Sequence, residues 1–271
     1  MRRDPGQWMN QRICCIFPDL AQCKTEYIMS KTYVVGDIHG ALKALREMME
    51  KINLKKGDRL IFLGDYVDGW SQSRQVIEYL MELEESHHCI FIRGNHDAWC
   101  EEWLGGAEPD PDWLYHGGQA TVDSYERITP EEKAQHLGFF NRMRPYYEDE
   151  GGRLFIHAGF SSMHGPLREH YESNFFWDRT LWEMALAVDN RISKDSMLYP
   201  KRLLLYNEIY IGHTPTTNYD VETPMQSCNV WNIDTGAAFQ GRISAMNIAT
   251  KEFRQSGIVA QLYPGEKGRN K

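Results

Sequence analysis

Thr32-Tyr33-Val34-Val35-Gly36-Asp37-Ile38-His39-Gly40 is a short β-rich apolar run that stops in a cluster of glycine, aspartate and histidine. β-Branched and aromatic residues suit a pleated strand, and glycine next to aspartate ends it in a turn. The pattern recurs four times. Residues 60–63 lead into Gly64-Asp65-Tyr66-Val67-Asp68-Gly69, and residues 89–92 into Arg93-Gly94-Asn95-His96-Asp97. Residues 154–156 lead into His157-Ala158-Gly159, and residues 209–211 into Gly212-His213-Thr214. The runs are apolar almost throughout rather than alternating, as expected for strands covered on both faces.

Helical stripes separate the first three runs. Ala41, Leu45, Met48, Met49 and Ile52 share one helical face, as do Val76, Ile77, Leu80, Met81 and Leu83, with Ser71 or Ser73 as the expected N-cap. Strand, helix, strand, helix, strand predicts an α/β fold with parallel pairing and helices on the faces. Residues 98–150 read as a helical insert, with a helix start at Thr129-Pro130-Glu131-Glu132. After Thr214 the runs at 229–233, 242–248 and 252–254 predict an antiparallel meander completing a second sheet, and the tail from 257 to 271 is expected to be loose. Residues 1–28 have no sustained periodicity. They read as a disordered or misannotated extension before a domain spanning 29–256, with Met29 as an alternative start.

The chain has 271 residues and a formal net charge of −8, which disfavours a general nucleic-acid binder. No run approaches the roughly 20 apolar residues of a membrane span. Cys14, Cys15, Cys23, Cys89, Cys100 and Cys228 form no paired framework, as expected for reduced thiols in a cytoplasmic protein. A zinc site from Cys14, Cys15 and Cys23 would have poor spacing and no histidine nearby.

In α/β sheets, ligands bind beyond the carboxyl ends of the strands, so the five clusters can share one site. Asp, His and Asn without cysteine suit hard-to-borderline divalent ions. Asp37 and His39, two apart, point the same way in extended backbone and can grip one cation. Asp65 can bridge two, and Asn95, His157 and His213 can complete the second site. Two cations about 3.5–4 Å apart activate a shared water and clamp phosphoryl oxygens. His96, adjoining Asn95, is expected to face substrate. Asp68 is expected to orient its imidazole and keep it protonated, making the pair a general acid.

As a set, these motifs resemble those of the phosphoprotein-phosphatase family of metallophosphoesterases, the calcineurin-like phosphoesterases: GDxHG, GDxxDRG, GNHE and two later histidines. The resemblance covers about residues 31–255. It implies a metallophosphoesterase β-sandwich flanked by helices, with a dinuclear site at the strand C-terminal ends holding Mn²⁺ or an Fe/Zn pair, and direct hydrolysis by a bridging hydroxide. It assigns Asp37, His39 and Asp65 to one metal, Asp65, Asn95, His157 and His213 to the other, and His96 with Asp68 to acid catalysis. Gly69 stands where the family has an arginine that holds phosphoryl oxygens, and Asp97 where it has glutamate. Arg179, in Trp177-Asp178-Arg179, resembles a second phosphate-binding element. Arg93 and Asn95 are further candidates for substrate contact.

Bacterial and phage-type serine/threonine protein phosphatases and symmetrical dinucleoside tetraphosphatases share these motifs. The expected substrate is a phosphorylated protein or a small phosphate-containing molecule, with a phosphoprotein-type phosphomonoester first and a dinucleoside tetraphosphate as the alternative. An inactive metal-binding scaffold is a weaker third reading. Trp99, Trp103 and Trp113 are either core or a nucleobase platform.

Overall fold

The computed structural model describes residues 30–270. The readings made for residues 1–28, the start at Met29 and the three N-terminal cysteines lie outside the described residues. Among the described residues, ten strands form two five-stranded sheets. The first contains β1 (Thr32–Val35), β2 (Arg59–Phe62), β3 (His88–Phe91), β9 (Ser244–Asn247) and β10 (Phe253–Gln255), in the order β10-β9-β1-β2-β3. The second contains β4 (Tyr146–Glu148), β5 (Arg153–Ile156), β6 (Glu208–Ile211), β7 (Met225–Ser227) and β8 (Val230–Asn232), in the order β4-β5-β6-β8-β7. The expected terminal meander is thus divided. β7 and β8 extend the second sheet, whereas β9 and β10 return to β1 as an antiparallel edge of the first.

Period-two geometry explains why the strands are apolar throughout. Val34, Ile61 and Ile90 face the other sheet, where they meet Phe155, Tyr210 and Ile233. Val35, Leu60, Phe62 and Phe91 point the other way, under α1 (Leu42–Ile52) and α2 (Ser73–Ser86). Leu154, Ile156, Ile209 and Ile211 cover the outer face of the second sheet against Phe175, Phe176 and Trp182. The result is a sandwich flanked by helices. α1 ends at Asn53 in the left-handed conformation, φ 47°.

Between residues 98 and 150 the chain is largely helical and ends in β4. Thr129 and Glu132 form a reciprocal capping box, with the Thr129 N–H donating to Glu132 Oε2 at 2.9 Å. Ser73 is not an N-cap. It is the first residue of α2, and its buried hydroxyl accepts the Asp68 N–H at 3.0 Å.

The segment after Gly257, expected to be loose, is packed. Val259–Leu262 is helical, and the Tyr263 hydroxyl donates to Gln72 at 2.6 Å. The Ser71 hydroxyl donates to Glu266 at 2.8 Å, and the Arg269 N–H donates to the Ala238 carbonyl at 2.8 Å. The anchor is Trp70, fully buried, whose indole N–H donates to Ala237 and whose ring lies 5.3 Å from that of Tyr263. A run of polar residues and glycines gives no sequence signal for such docking, because its apolar partner, Trp70, lies eight places past the second strand and nearly two hundred positions before the tail. Trp70→Ala should destabilise the fold by about 3–5 kcal/mol, as for other large core truncations. Chemical denaturation checks this, and a loss below about 1 kcal/mol would mean the tail docks without it.

Candidate metal centre

Asp37, Asp65 and Asn95 follow β1, β2 and β3 of the first sheet, while His157 and His213 follow β5 and β6 of the second. The two sheets converge at these ends, and all five side chains are buried together with His39. Glycines make the approach possible. A Cβ on Gly94 would collide with the Asp65 carboxylate, and one on Gly212 with that of Asp37. Four of the eight described non-glycine residues with positive φ are His39, Asp65, Asp68 and His213. Such backbone strain persists where the surroundings over-determine it, and it concentrates at functional sites.

Asp65 stands between two groups of donors. Its Oδ2 lies 3.5 Å from His39 Nε2, which is itself 3.8 Å from Asp37 Oδ2. Its Oδ1 lies 3.4 Å from His157 Nε2. Asn95 Oδ1 lies 3.1 Å from His157 Nε2 and 3.0 Å from His213 Nδ1. All three carboxylate–imidazole separations exceed ordinary hydrogen-bond lengths. The two made by Asp65, 3.4 and 3.5 Å, lie close to the roughly 3.0–3.4 Å between neighbouring ligands of an ion bound at about 2.1 Å, and the Asp37–His39 pair is wider. His157 Nδ1 faces the Leu63 carbonyl at 2.8 Å, which aims Nε2 inward. His39 Nδ1 and His213 Nε2 are buried without a hydrogen-bond partner among the described residues. The donor set, O and N without sulfur, fits divalent cations.

The electrostatics of the protein alone show the same demand for positive charge. Burial, reinforced by Asp234, holds the Asp37 carboxyl well above its ordinary range. For Asp65, burial acts upward but is outweighed by His157, His96 and His39, which hold it well below that range. Burial depresses His157, yet the Asp65 carboxylate more than compensates and raises the imidazole to about 10. Burial drives His39 and His213 well down, favouring the neutral imidazoles that metals bind.

Beside this cluster His96 Nδ1 meets Asp68 Oδ2 at 2.5 Å. The Trp113 indole N–H and the Thr121 hydroxyl donate to the same carboxylate at 2.7 and 2.6 Å. His96 also lies close enough to His39 and Asp65 to complete a potential ligand triple. Its commitment to the heavily hydrogen-bonded Asp68 separates its role from theirs.

Three contributors were not singled out from the sequence. Asp97, read only as a mild departure, accepts the N–H groups of Gly94, Asp65 and Tyr66 at 2.8, 2.7 and 2.9 Å, tying two loops together. Burial, with the Asp65 charge, pushes its carboxyl up to about 7. Asp234 is buried near Asp37, and burial pushes it up to about 6. The third is Arg269. A cavity of about 250 Å³ opens over Asp65, Asn95, His96 and His213, with Trp99, His116 and Trp177 as one wall and Arg179 and Arg269 at its edge. A larger groove of about 620 Å³ beside Phe239 and Gln261 contains none of the donors.

Arg179 therefore reaches the cavity as expected, and Arg93 does not. The Arg93 guanidinium is drawn to Glu101, 2.7 Å away on the same turn-and-helix segment. Of the three tryptophans in the insert, Trp113 is core and holds Asp68, and Trp103 packs on the core. Only Trp99 lines the cavity.

The profile of the calcineurin-like phosphoesterase family matches residues 30–231. An asymmetrical bis(5'-nucleosyl)-tetraphosphatase, PrpE, of Geobacillus sp. strain WCH70 is 27% identical over 229 residues, covering 79% of this chain and 89% of that protein. The crystal structure of a protein provisionally named a diadenosine tetraphosphatase superposes with a TM-score of 0.58 at 15% identity, covering 85% of this chain and 95% of that one. A Saccharomyces cerevisiae protein serine/threonine phosphatase gives a TM-score of 0.58 at 12% identity, with 89% and 84% covered. At these identities the structural likenesses speak for the fold. No described helix is long and apolar enough to cross a membrane. The extent of the family match makes this chain a member of the calcineurin-like phosphoesterases, and so a metal-dependent hydrolase.

Proposed function

We propose that the chain hydrolyses dinucleoside tetraphosphates with two divalent cations, Mn²⁺ being the expected pair. The observation that carries the substrate class is the aromatic wall beside the donor cluster. The Trp99 and His116 rings lie within 8° of parallel, centroids 6.4 Å apart, and Trp177 stands edge-on to Trp99 at 4.9 Å. Flat π faces next to a phosphoryl site suit a nucleobase, and stacking is worth about 1–3 kcal/mol per base. The bacterial relative's name points the same way.

Asp37, His39 and Asp65 would hold one cation, and Asp65, Asn95, His157 and His213 the other. When bound, such a pair supplies a water activated near neutral pH and positive charge against the phosphoryl oxygens. The remaining work falls to the chain. Asp68 fixes the His96 imidazole through Nδ1, leaving Nε2 to deliver a proton to the leaving oxygen. No serine, threonine or cysteine is among the residues lining the cavity. Asp65 and His213 would be taken up by the cations and His96 by Asp68, which favours a single displacement by water without a covalent intermediate.

The phosphoprotein reading expected from the sequence uses the same cluster and acid pair, so substrate competition decides between them. With Mn²⁺, diadenosine tetraphosphate should be cleaved with a kcat/KM at least about tenfold above that for a phosphoserine peptide, since one stacked base contributes that much. The relative named asymmetrical suggests a nucleoside monophosphate and a triphosphate as products, whereas the symmetrical cleavage expected earlier yields two diphosphates. Chromatography of the products distinguishes these, and preference for the peptide would return the substrate to phosphoproteins. His96→Asn should retain bound metal and lose about 10²–10⁴-fold in kcat, with a smaller loss for a p-nitrophenyl leaving group that needs little protonation. Loss of metal in that variant would make His96 a ligand rather than an acid.

A further inference from the structure

Arg179 and Arg269 are the two cationic side chains at the edge of the cavity over the donor cluster, and they arrive from opposite ends of the architecture. Arg179 precedes the helix Thr180–Ala187 beside the second sheet. Arg269 belongs to the C-terminal segment, which crosses the first sheet's loops. Neither guanidinium has an ion-pair partner within 4 Å among the described residues, although carboxylates crowd the site. Arg269 is also the side chain that occupies the space beside Gly69: a Cβ built there would lie 3.2 Å from Arg269 Cγ.

Its position is built rather than incidental. The Arg269 N–H is bonded to Ala238 O, and Gly268 lies so close to the Trp70 indole that a Cβ would come within 2.6 Å of it. Glu266 holds the Ser71 backbone and hydroxyl at 3.0 and 2.8 Å. The guanidinium carbon stands over the Phe239 ring, 5.4 Å from its centroid. Packing over an aromatic ring restrains a guanidinium, and with no described carboxylate within ion-pair distance its N–H groups remain available as a fork for phosphate oxygens.

We propose that Arg269 binds a phosphoryl group of the substrate, so that the C-terminal segment completes the active site with the guanidinium that position 69 does not supply. The inference rests on the phosphohydrolase reading of the donor cluster. On this proposal a Gly69→Arg substitution would not restore the family's arrangement. At φ 90° a side chain there is strained, and it would compete with the Arg269 stem instead of filling an empty place.

The test compares the wild-type chain, Arg269→Ala and Arg269→Lys, all loaded with Mn²⁺. Calorimetric titration with inorganic phosphate reads binding, and steady-state kinetics with diadenosine tetraphosphate and p-nitrophenyl phosphate read turnover. Arg269→Ala should weaken phosphate binding by roughly ten- to hundredfold, the scale of charge-assisted hydrogen bonds, with unchanged metal content and melting temperature. Arg269→Lys should recover part of the loss, and added guanidinium ion should recover part of it in the alanine variant. Unchanged phosphate affinity and KM in a folded, metal-loaded Arg269→Ala would overturn the proposal. So would a loss accompanied by a lower melting temperature and no guanidinium rescue, since the arginine would then be structural. A wild-type chain that binds phosphate but hydrolyses neither substrate would instead overturn the functional reading, leaving the binding comparison to judge Arg269.

Discussion

Asp65 is the residue through which the two sheets and three loops share one site. Its N–H donates to Asp97 at 2.7 Å, and its carbonyl accepts the N–H groups of Ile38 and His39 at 3.0 and 2.9 Å. Its carboxylate accepts the His96 N–H at 3.1 Å and faces imidazoles from both sheets. The residue adopts φ 54° to do so, a conformation that costs on the order of 1–3 kcal/mol. A buried carboxylate in such a setting is tolerable only when fully paired, and on the proposed function the pairing would be divided between protein donors and cations. The adjacent carboxyls follow from it. Asp37, Asp97 and Asp234 are each held above their ordinary range by burial, with Asp65 adding to the effect in all three.

This arrangement explains the glycines and the small loops better than a turn-propensity argument does. Gly94 and Gly212 are required because carboxylate oxygens occupy the space a side chain would need. Asp97, at the third position of the helix Asn95–Leu104, reaches back across its own N-terminus to the loop after β2. The His96–Asp68 pair is supported in the same manner. Trp113 and Thr121 come from the insert, so that segment positions Asp68 as well as covering the cluster.

The donor residues were legible in the sequence because each lies one to four places past an apolar run, a local pattern that strand geometry converts into a shared edge. The helices were legible for a similar reason: their buried stripes repeat at helical spacing. What lay beyond reach was the partner of each long-range contact. The runs at 229–233 and 242–248 look alike, yet one pairs with β6 and the other with β1. Ser73 has the sequence context of a cap, but the Asp68 N–H takes its hydroxyl first. Arg93 sits beside the motif and is captured by Glu101, whereas Arg269, two hundred positions from Gly69, reaches the cavity. Nothing local marks either outcome, because both depend on where the tail and the insert dock.

The central claim is that one carboxylate holds two cations in a single buried cluster. Elemental analysis of purified, Mn²⁺-equilibrated protein tests it most directly when wild type is compared with Asp65→Asn. The amide keeps the shape but removes the charge that two dications share. Wild type should carry about two ions per chain, and Asp65→Asn should fall well short of that while remaining folded. A variant that retains the wild-type metal content, or a folded wild-type protein that binds no more than one ion at saturating Mn²⁺, would contradict the account.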